Sequence, residues 1–381
     1  MKVLHTIASL NMSCGGPTLT TYLTVSGLNR IGIKTNILTY NAPANDVLIA
    51  KDHFIKFCSA LEGKHIRFAY SKNYKSKLEQ MSDFDIYHAQ GLWQYPTYAT
   101  AKLAKKLNKP YLITLRGMLY PQVFEKSGLI KKIALKLYQK RDIQNASCIH
   151  ATCIEEMTHL RNLGIKTPVA VIPNPIETEL YLNKPILSHN INRIGYLGRV
   201  HPRKKIERLI YAFEKLGNKV SNCELVIIGD GDKEYLSFLK EEVFRLKLDN
   251  VIFTGFLTGL DKENAINSLS FLAVPSDFEN FGNIITEALV RGIPVIASTG
   301  TPWENLNIYK CGWWVKNDIN TLANTILEAI RLSENQRIEM GINGKELIKS
   351  NYSVEIVSCK MKQLYEWILN KKNKPDFVYI K

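Results

Sequence analysis

Two carboxylates eight positions apart, Glu279 and Glu287, lie in the segment Pro275-Ser-Asp-Phe-Glu-Asn-Phe-Gly-Asn-Ile-Ile-Thr-Glu-Ala-Leu289. The apolar run Phe271-Leu-Ala-Val before it reads as a buried strand, and Phe281-Gly282-Asn283 opens an apolar stretch of helical periodicity. Glu279 thus falls on a loop at a strand's C-terminal end, and Glu287 inside the helix that follows. The first N–H groups of such a helix, with Gly282 leaving the backbone open, suit an anion such as phosphate. A carboxylate beside an anion site fits a ligand that carries both phosphate and hydroxyl groups.

Cations with the right character stand elsewhere in the same half. Gly195-Tyr-Leu-Gly198-Arg199 ends another strand, and Lys204 and Lys205 precede the next helix. A planar guanidinium fork and a compact ammonium together suit a diphosphate, while a solvated basic turn is the plainer reading. The cations and the Glu279 loop share one sheet edge only if their strands are neighbours. Ile227-Ile-Gly229-Asp-Gly231-Asp232 looks like a dinucleotide fingerprint, but Glu234 stands where the third glycine belongs, which weakens a hydride-transfer reading. Phe253-Thr254-Gly255-Phe256 fits a base pocket and an ordinary strand end equally well.

The elements that must position these groups alternate along the chain. Strand-like runs at Val3–Ser9, Lys34–Tyr40, Ile86–Ala89, Tyr111–Leu115 and Ala146–Thr152 are interleaved with helical patterns near Thr18–Arg30 and Tyr98–Leu107. The second half repeats the scheme, with strands predicted at Arg193–Leu197, Glu224–Ile228, Val251–Thr254, Phe271–Val274 and Pro294–Ala297. This alternation predicts an α/β chain of two Rossmann-like, doubly wound parallel-sheet domains. The expected divisions are 1–185, 186–352, and a tail 353–381 that crosses back to the first domain. The join is expected near Pro185–Asn192, where polar residues replace the apolar pattern. Ligands of such sheets bind at the strands' carboxyl edges, so two facing sheets predict a central cleft.

Composition sets the outer limits. A chain of 381 residues with 45% hydrophobic and 22% charged residues is ordinary for a folded protein of two domains. Its seven cysteines are scattered and never spaced Cys-x-x-Cys, which argues against a disulfide framework or zinc site and suits a reducing cytoplasm. The apolar start of Met1–Ala8 is broken at once by Asn11 and Ser13, so it reads as a first strand instead of a signal peptide. The net charge of +15 is uneven: residues 1–185 hold 24 Lys+Arg against 12 Asp+Glu. Within 101–141 the count is 11 basic to one acidic, which marks a contact for something anionic, nucleic acid or a bilayer surface.

The order Gly-Arg…Lys, Gly-Asp-Gly, Phe-Thr-Gly-Phe, Pro-Ser-Asp-Phe-Glu-Asn-Phe-Gly…Glu-Ala-Leu and Gly-Ile-Pro-Val-Ile-Ala, spread over most of residues 190–315, resembles glycosyltransferase family 4. The resemblance implies the two-domain GT-B architecture and a retaining reaction without metal or cofactor. It implies that Arg199 and Lys204 hold the donor diphosphate and that Glu279 contacts the transferred sugar. The Asn280, Phe281, Gly282 and Asn283 amides would meet sugar and phosphate, and Glu287 would accept from the ribose hydroxyls. Asp83-Phe-Asp85 is similar to the metal-binding Asp-x-Asp of the other glycosyltransferase fold class, although a cap on a buried strand explains it as well.

In the first half the resemblance is looser. Gly15-Gly16 precedes a helix where the family has a glycine-rich loop near donor and acceptor. His88 and Trp93, at a strand exit, are candidates for the acceptor or sugar pocket, with a structural histidine as the alternative. Arg116, in Thr-Leu-Arg-Gly-Met-Leu, stands where many members have a histidine, a pattern associated with a bacterial surface-polysaccharide branch. A guanidinium excludes base chemistry there at neutral pH, so Arg116, the third candidate for the acceptor or sugar pocket, is left to meet phosphate of the acceptor or the diphosphate, or to form a structural ion pair. Lys205 and Pro175 also stand where glycine is usual. Lys126–Arg141 reads as a basic amphipathic helix that either packs on the first sheet or lies on anionic lipid.

The expected activity is transfer of a hexose from a nucleoside diphosphate sugar to a glycan hydroxyl with retention, the acceptor being a lipid-linked oligosaccharide of O-antigen, capsule or other surface polysaccharide (lipopolysaccharide) synthesis. The expected setting is cytoplasmic, peripheral on the inner face of the plasma membrane, with no nucleic-acid partner. A nucleotide-sugar oxidoreductase or epimerase, or a non-catalytic nucleotide-sugar or nucleic-acid binding protein, are the alternatives.

Overall fold

The computed structural model describes residues 1–43, 46–61, 68–122, 133, 135–188 and 191–380. They form two units: Met1–Ile176 with Ser353–Lys381, and Glu177–Tyr352. Strands are numbered along the chain.

The first unit contains β1 (Lys2–Ser9), β2 (Lys34–Tyr40), β3 (Ile55–Cys58), β4 (Ile86–Gln90), β5 (Tyr111–Thr114), β6 (Cys148–Ala151), β7 (Val169–Val171) and β14 (Val378–Tyr379). They run in the order β3-β2-β1-β4-β5-β6-β7-β14. The central strands are nearly continuous apolar runs because both faces are covered, as a parallel sheet requires. On one face Leu4, Leu38, Tyr87, Ile113 and Ile149 pack with the helix Tyr95–Lys106. On the other, Val3, Ile86, Leu112 and Cys148 pack with Val357, Met361, Leu364 and Tyr365 of the C-terminal helix Val354–Ile368. That helix lies so close to the helix Gly16–Arg30 that a Cβ on Gly27 would stand 2.2 Å from Ser358 Oγ.

The second unit contains β8 (Asn192–Leu197), β9 (Cys223–Ile228), β10 (Val251–Gly255), β11 (Phe271–Val274), β12 (Val295–Ser298) and β13 (Gly312–Val315), in the order β10-β9-β8-β11-β12-β13, all parallel. Phe213, Leu225, Ile227, Phe271 and Ile326 share its core. The chain winds outward from β8 through β9 to β10 and then returns to β11 on the other side of β8. A doubly wound sheet binds ligands beyond the strand ends at such a reversal. The first unit reverses in the same way between β1 and β4.

Three differences from the sequence reading have physical causes. β7 and β14, three and two residues long, are below the length at which alternation or an apolar run stands out, while in β3 (Ile-Lys-Phe-Cys) a lysine breaks the apolar run and β13 (Gly-Trp-Trp-Val) opens on glycine. β14 pairs antiparallel with β7, so the first sheet is parallel except at that edge. The boundary falls at Ile176–Glu177 instead of 185–186. Side chains of the second unit hold the segment around Pro185: Lys345 Nζ donates to the Tyr181 carbonyl at 3.1 Å and Arg337 to that of Leu187 at 2.7 Å. Ile186 packs where Gly292 and Gly341 leave room.

Half of the expected basic helix Lys126–Arg141 lies outside the described residues. Its later part contains a π-helical turn, Leu135–Gln139, followed by a helix Lys140–Gln144, and Ile133 is exposed. Among the described residues no helix is long and apolar enough to cross a membrane.

Candidate active site

β8 and β11 are neighbours, with Phe271 opposite Ile194 and Leu272 opposite Gly195. Their C-terminal exits bring the predicted cation and carboxylate together. Lys204 ends the short 3-10 turn Pro202–Lys204, and its ammonium pairs with Glu279 Oε1, their side chains being 22% and 13% exposed. Ser276 Oγ donates to the same carboxylate oxygen at 3.0 Å, and the Glu279 N–H donates to the Gly300 carbonyl at 2.9 Å. Glu279 is therefore fixed through side chain and backbone. Arg199 is exposed at the same edge, its carbonyl receiving the Tyr196 hydroxyl at 2.9 Å.

The loop carrying Glu279 is supported from below. Trp303, 1% exposed, donates its indole N–H to the Phe281 carbonyl. The Phe281 ring is buried between Trp303 and Tyr352 at centroid distances of 5.5 and 5.9 Å. Any donor contact by Phe281 is thus a backbone one, because its side chain belongs to the core. Gly282 adopts φ +79, a left-handed turn that admits the chain into the helix Asn283–Leu289. Glu287, within this helix, pairs with Lys262 at 2.6 Å, and its carbonyl receives Arg291 at 2.6 Å. Ser276, Lys262, Gly300 and Trp303 escape the sequence reading. Ser276 reaches Glu279 locally, three residues before it in the same loop, whereas Gly300 follows β12 and meets Glu279 because β12 lies beside β11.

The Gly-Asp-Gly segment turns out to be a packing device. A Cβ on Gly229 would stand 1.9 Å from the Gly198 carbonyl oxygen, and one on Gly231 2.2 Å from that of Val200. The Gly198 and Val200 N–H groups donate to Ile228 and Asp230, and the Asp232 side chain caps the helix Lys233–Arg245. The glycines let two strand exits touch, so the dinucleotide resemblance has another cause. Lys205, where glycine is usual, takes φ +54, a conformation glycine adopts freely, and its ammonium lies 3.7 Å from Asp277.

In the first unit the exits of β1, β4 and β5 carry the acceptor-side candidates. Gly15 adopts φ +72 and ψ −145 and starts the helix Gly16–Arg30. Trp93 (φ +69) and Arg116 (φ +57) hold a left-handed backbone that bulky residues seldom take, and such strain gathers at functional sites. The Trp93 N–H donates to Gln139 Oε1 at 3.0 Å. The Arg116 Nη1 group donates to Thr20 and Asn174, each at 2.8 Å, and Nη2 to Thr21 at 2.9 Å and Gln90 at 2.7 Å. All four partners are neutral, in contrast to the structural ion pair considered from the sequence. Burial brings the guanidinium down to about 10. The next residue is held by a buried carboxylate: Glu156 receives the Gly117 N–H and, at 2.7 Å, that of Thr152, and its burial raises its pKa.

His88 requires a correction. It is fully buried, with Nδ1 2.8 Å from the Tyr365 hydroxyl and Nε2 2.8 Å from Thr114 Oγ1. Both ring nitrogens are occupied inside the core, so the structural reading of this histidine holds and a contact with acceptor does not. The Asp83 and Asp85 carboxylates lie at the opposite edge of the sheet, where they bind the Lys2 side chain and, at 2.8 Å, its N–H. They tie β1 to the start of β4.

Comparison with known proteins identifies the family and the fold. A family model described as "Glycosyl transferases group 1" matches residues 179–347, and one described as "Glycosyltransferase Family 4" matches 14–180. The capsular polysaccharide biosynthesis glycosyltransferase CapM of Staphylococcus aureus is 27% identical over 178 residues, 46% of each chain. The alpha-monoglucosyldiacylglycerol synthase of Streptococcus pneumoniae is 26% identical over 295 residues, 70% of this chain and 64% of that protein. The chain thus spans about half to two thirds of the length of these relatives. The crystal structure of Anabaena HepE in complex with UDP and glucose superposes with a TM-score of 0.72 at 19% identity, covering 96% of this chain and 100% of that one. With the two family models adjoining along the sequence and each sheet doubly wound, the chain belongs to glycosyltransferase family 4 and has the GT-B fold.

Proposed function

We propose that the protein transfers a hexose from a nucleoside diphosphate sugar to a hydroxyl of a glycan or glycolipid, retaining the anomeric configuration. The observation that carries this reading is the meeting of Lys204 and Glu279 at the reversal between β8 and β11. Arg199 and Lys204 take the diphosphate, Glu279 the sugar hydroxyls, and Glu287 the ribose diol, a carboxylate being a natural acceptor for paired hydroxyls. CapM and the alpha-monoglucosyldiacylglycerol synthase, by their names, support a surface glycan or a glycolipid as acceptor.

Retention by double displacement needs a carboxylate nucleophile beneath the anomeric carbon. Glu279, bonded to Lys204 and Ser276, has the surroundings of an orienting group. We therefore assign attack from the leaving-group face. The bond from the anomeric carbon to the diphosphate oxygen breaks, the acceptor oxygen bonds on the same face, and its proton passes to the departing diphosphate. No metal or cofactor enters this scheme. Replacing Lys204 with alanine removes a preorganised cation and is expected to raise the barrier by about 2.7–4 kcal/mol, or 10²–10³ in kcat. Wild-type turnover in that variant would overturn the assignment.

The excess of basic residues in 1–185 supports docking on an anionic bilayer. Sedimentation with anionic vesicles is expected to fall when Lys131, Lys132, Lys136 and Lys140 are neutralised, and undiminished binding would refute that docking.

A further inference from the structure

The first unit holds a line of buried polar groups that the donor chemistry does not use. His5, His88 and His150 lie on β1, β4 and β6, on the face covered by the C-terminal helix. Gln90 Nε2 is 3.1 Å from His5 Nδ1, and His5 Nε2 is 2.9 Å from the Tyr365 hydroxyl. The same hydroxyl is 2.8 Å from His88 Nδ1, and His88 Nε2 is 2.8 Å from Thr114 Oγ1. Thr114 Oγ1 is 3.0 Å from His150 Nδ1, and His150 Nε2 is 2.8 Å from the Ile172 carbonyl oxygen. At the near end Gln90 Oε1 receives Arg116.

Both ends of this line are fixed by chemistry. A guanidinium only donates, so the Gln90 oxygen faces Arg116 and its amide N–H faces His5. A carbonyl only accepts, so His150 carries its hydrogen on Nε2 and accepts at Nδ1 from Thr114. Thr114 then accepts from His88 Nε2, His88 Nδ1 accepts from Tyr365, and Tyr365 accepts from His5 Nε2. Working inward from either end gives the same assignment, with one donor and one acceptor at every link.

We infer that these groups form a hydrogen-bond chain of a single sense, with all three histidines neutral and protonated on Nε2, and that Tyr365 is a positioning residue that fixes Arg116 through Gln90 and His5. The positioning role rests on the proposed transferase reading and on the expectation that Arg116 belongs to its acceptor or sugar pocket. The tautomers do not. Burial and the Arg116 charge, the cationic group facing these rings, both oppose their protonation.

Nitrogen-15 NMR of histidine-labelled full-length protein reads the rings directly. Neutral Nε2–H forms are expected for all three at pH 7, and an Nδ1–H tautomer or an imidazolium in any of them overturns the chain. In Gln90→Glu the carboxylate cannot donate to His5, so His5 is expected to leave the neutral Nε2–H form, as the Nδ1–H tautomer or an imidazolium, and an unchanged His5 also overturns the chain. Tyr365→Phe is expected to lower kcat/KM about tenfold, the worth of one hydrogen bond, with affinity for the nucleoside diphosphate alone unchanged. Val357→Ala, which removes buried methyls from the same helix, is expected to lower the melting temperature while keeping kcat/KM. Wild-type kcat/KM in Tyr365→Phe, or an equal loss in Val357→Ala, refutes the positioning role. A failure of the transferase reading would appear in Lys204→Ala and leave the ring tautomers as assigned.

Discussion

At the scale of single residues, the left-handed backbone at Lys205 provides a direct test. A non-glycine residue there carries about 1–2 kcal/mol of conformational cost, and the exposed pairing with Asp277 returns about 0–1 kcal/mol. Lys205→Gly is therefore expected to leave stability equal or to raise it by up to about 1 kcal/mol, part of the gain being offset by the entropy of the unfolded chain. A denaturant titration would measure this, and a clear loss would mean that the ammonium matters more than the backbone. Gly229 is the opposite case. Alanine there would drive a Cβ to 1.9 Å from the Gly198 carbonyl oxygen at φ +145. Overpacking and backbone strain each cost about 1–3 kcal/mol, so a loss of roughly 3 kcal/mol or more is expected.

At the scale of elements, the site depends on which strands are neighbours. The loop after β8 and the loop after β11 are about 75 residues apart in sequence and meet because the sheet reverses between them. The same scale governs the contact of the helix Gly16–Arg30 with the C-terminal helix. Gly27→Val places methyls where Ser358 and Val354 already stand and is expected to cost about 1–3 kcal/mol by separating the helices. Calorimetry should show the change in the transition of the first unit. An unshifted transition would mean that the helices part without cost.

For the whole molecule, acid should act unequally on the two units. The buried histidines among the described residues all belong to the first unit. Burial lowers His5 to about 3 and His150 to about 4, and His88 well below its ordinary value of 6.5. Their unfolded forms take up protons first, so their contribution is complete above pH 6.5 and is lost as pH falls through 6.5 toward the folded values. The expected slope is about 1.4 kcal/mol per pH unit for each histidine. In the second unit Glu242, held at about 2 by Arg245 and Tyr211, loses its contribution only below the ordinary carboxylate value of 4.5. Between pH 6.5 and 4.5 the first unit should therefore weaken before the second, and equal weakening would contradict the neutral histidines.

The sequence by itself determined the alternation of strands and helices, the family motif around Glu279, and the chemical types at Arg199, Lys204 and Glu287. Such features are local: periodicity, glycine and charge act over a few residues. Tertiary structure alone decided that β8 lies beside β11, which turns separate charges into one site. It also decided that His88 and the Phe281 ring are core groups, although both types occur as readily in binding sites. It placed the neutral partners Thr20, Thr21, Gln90 and Asn174 around Arg116, and drew Tyr365 from the end of the chain into the first core. These outcomes depend on contacts between segments far apart in the chain, and a linear pattern does not encode which distant segments will bury one another.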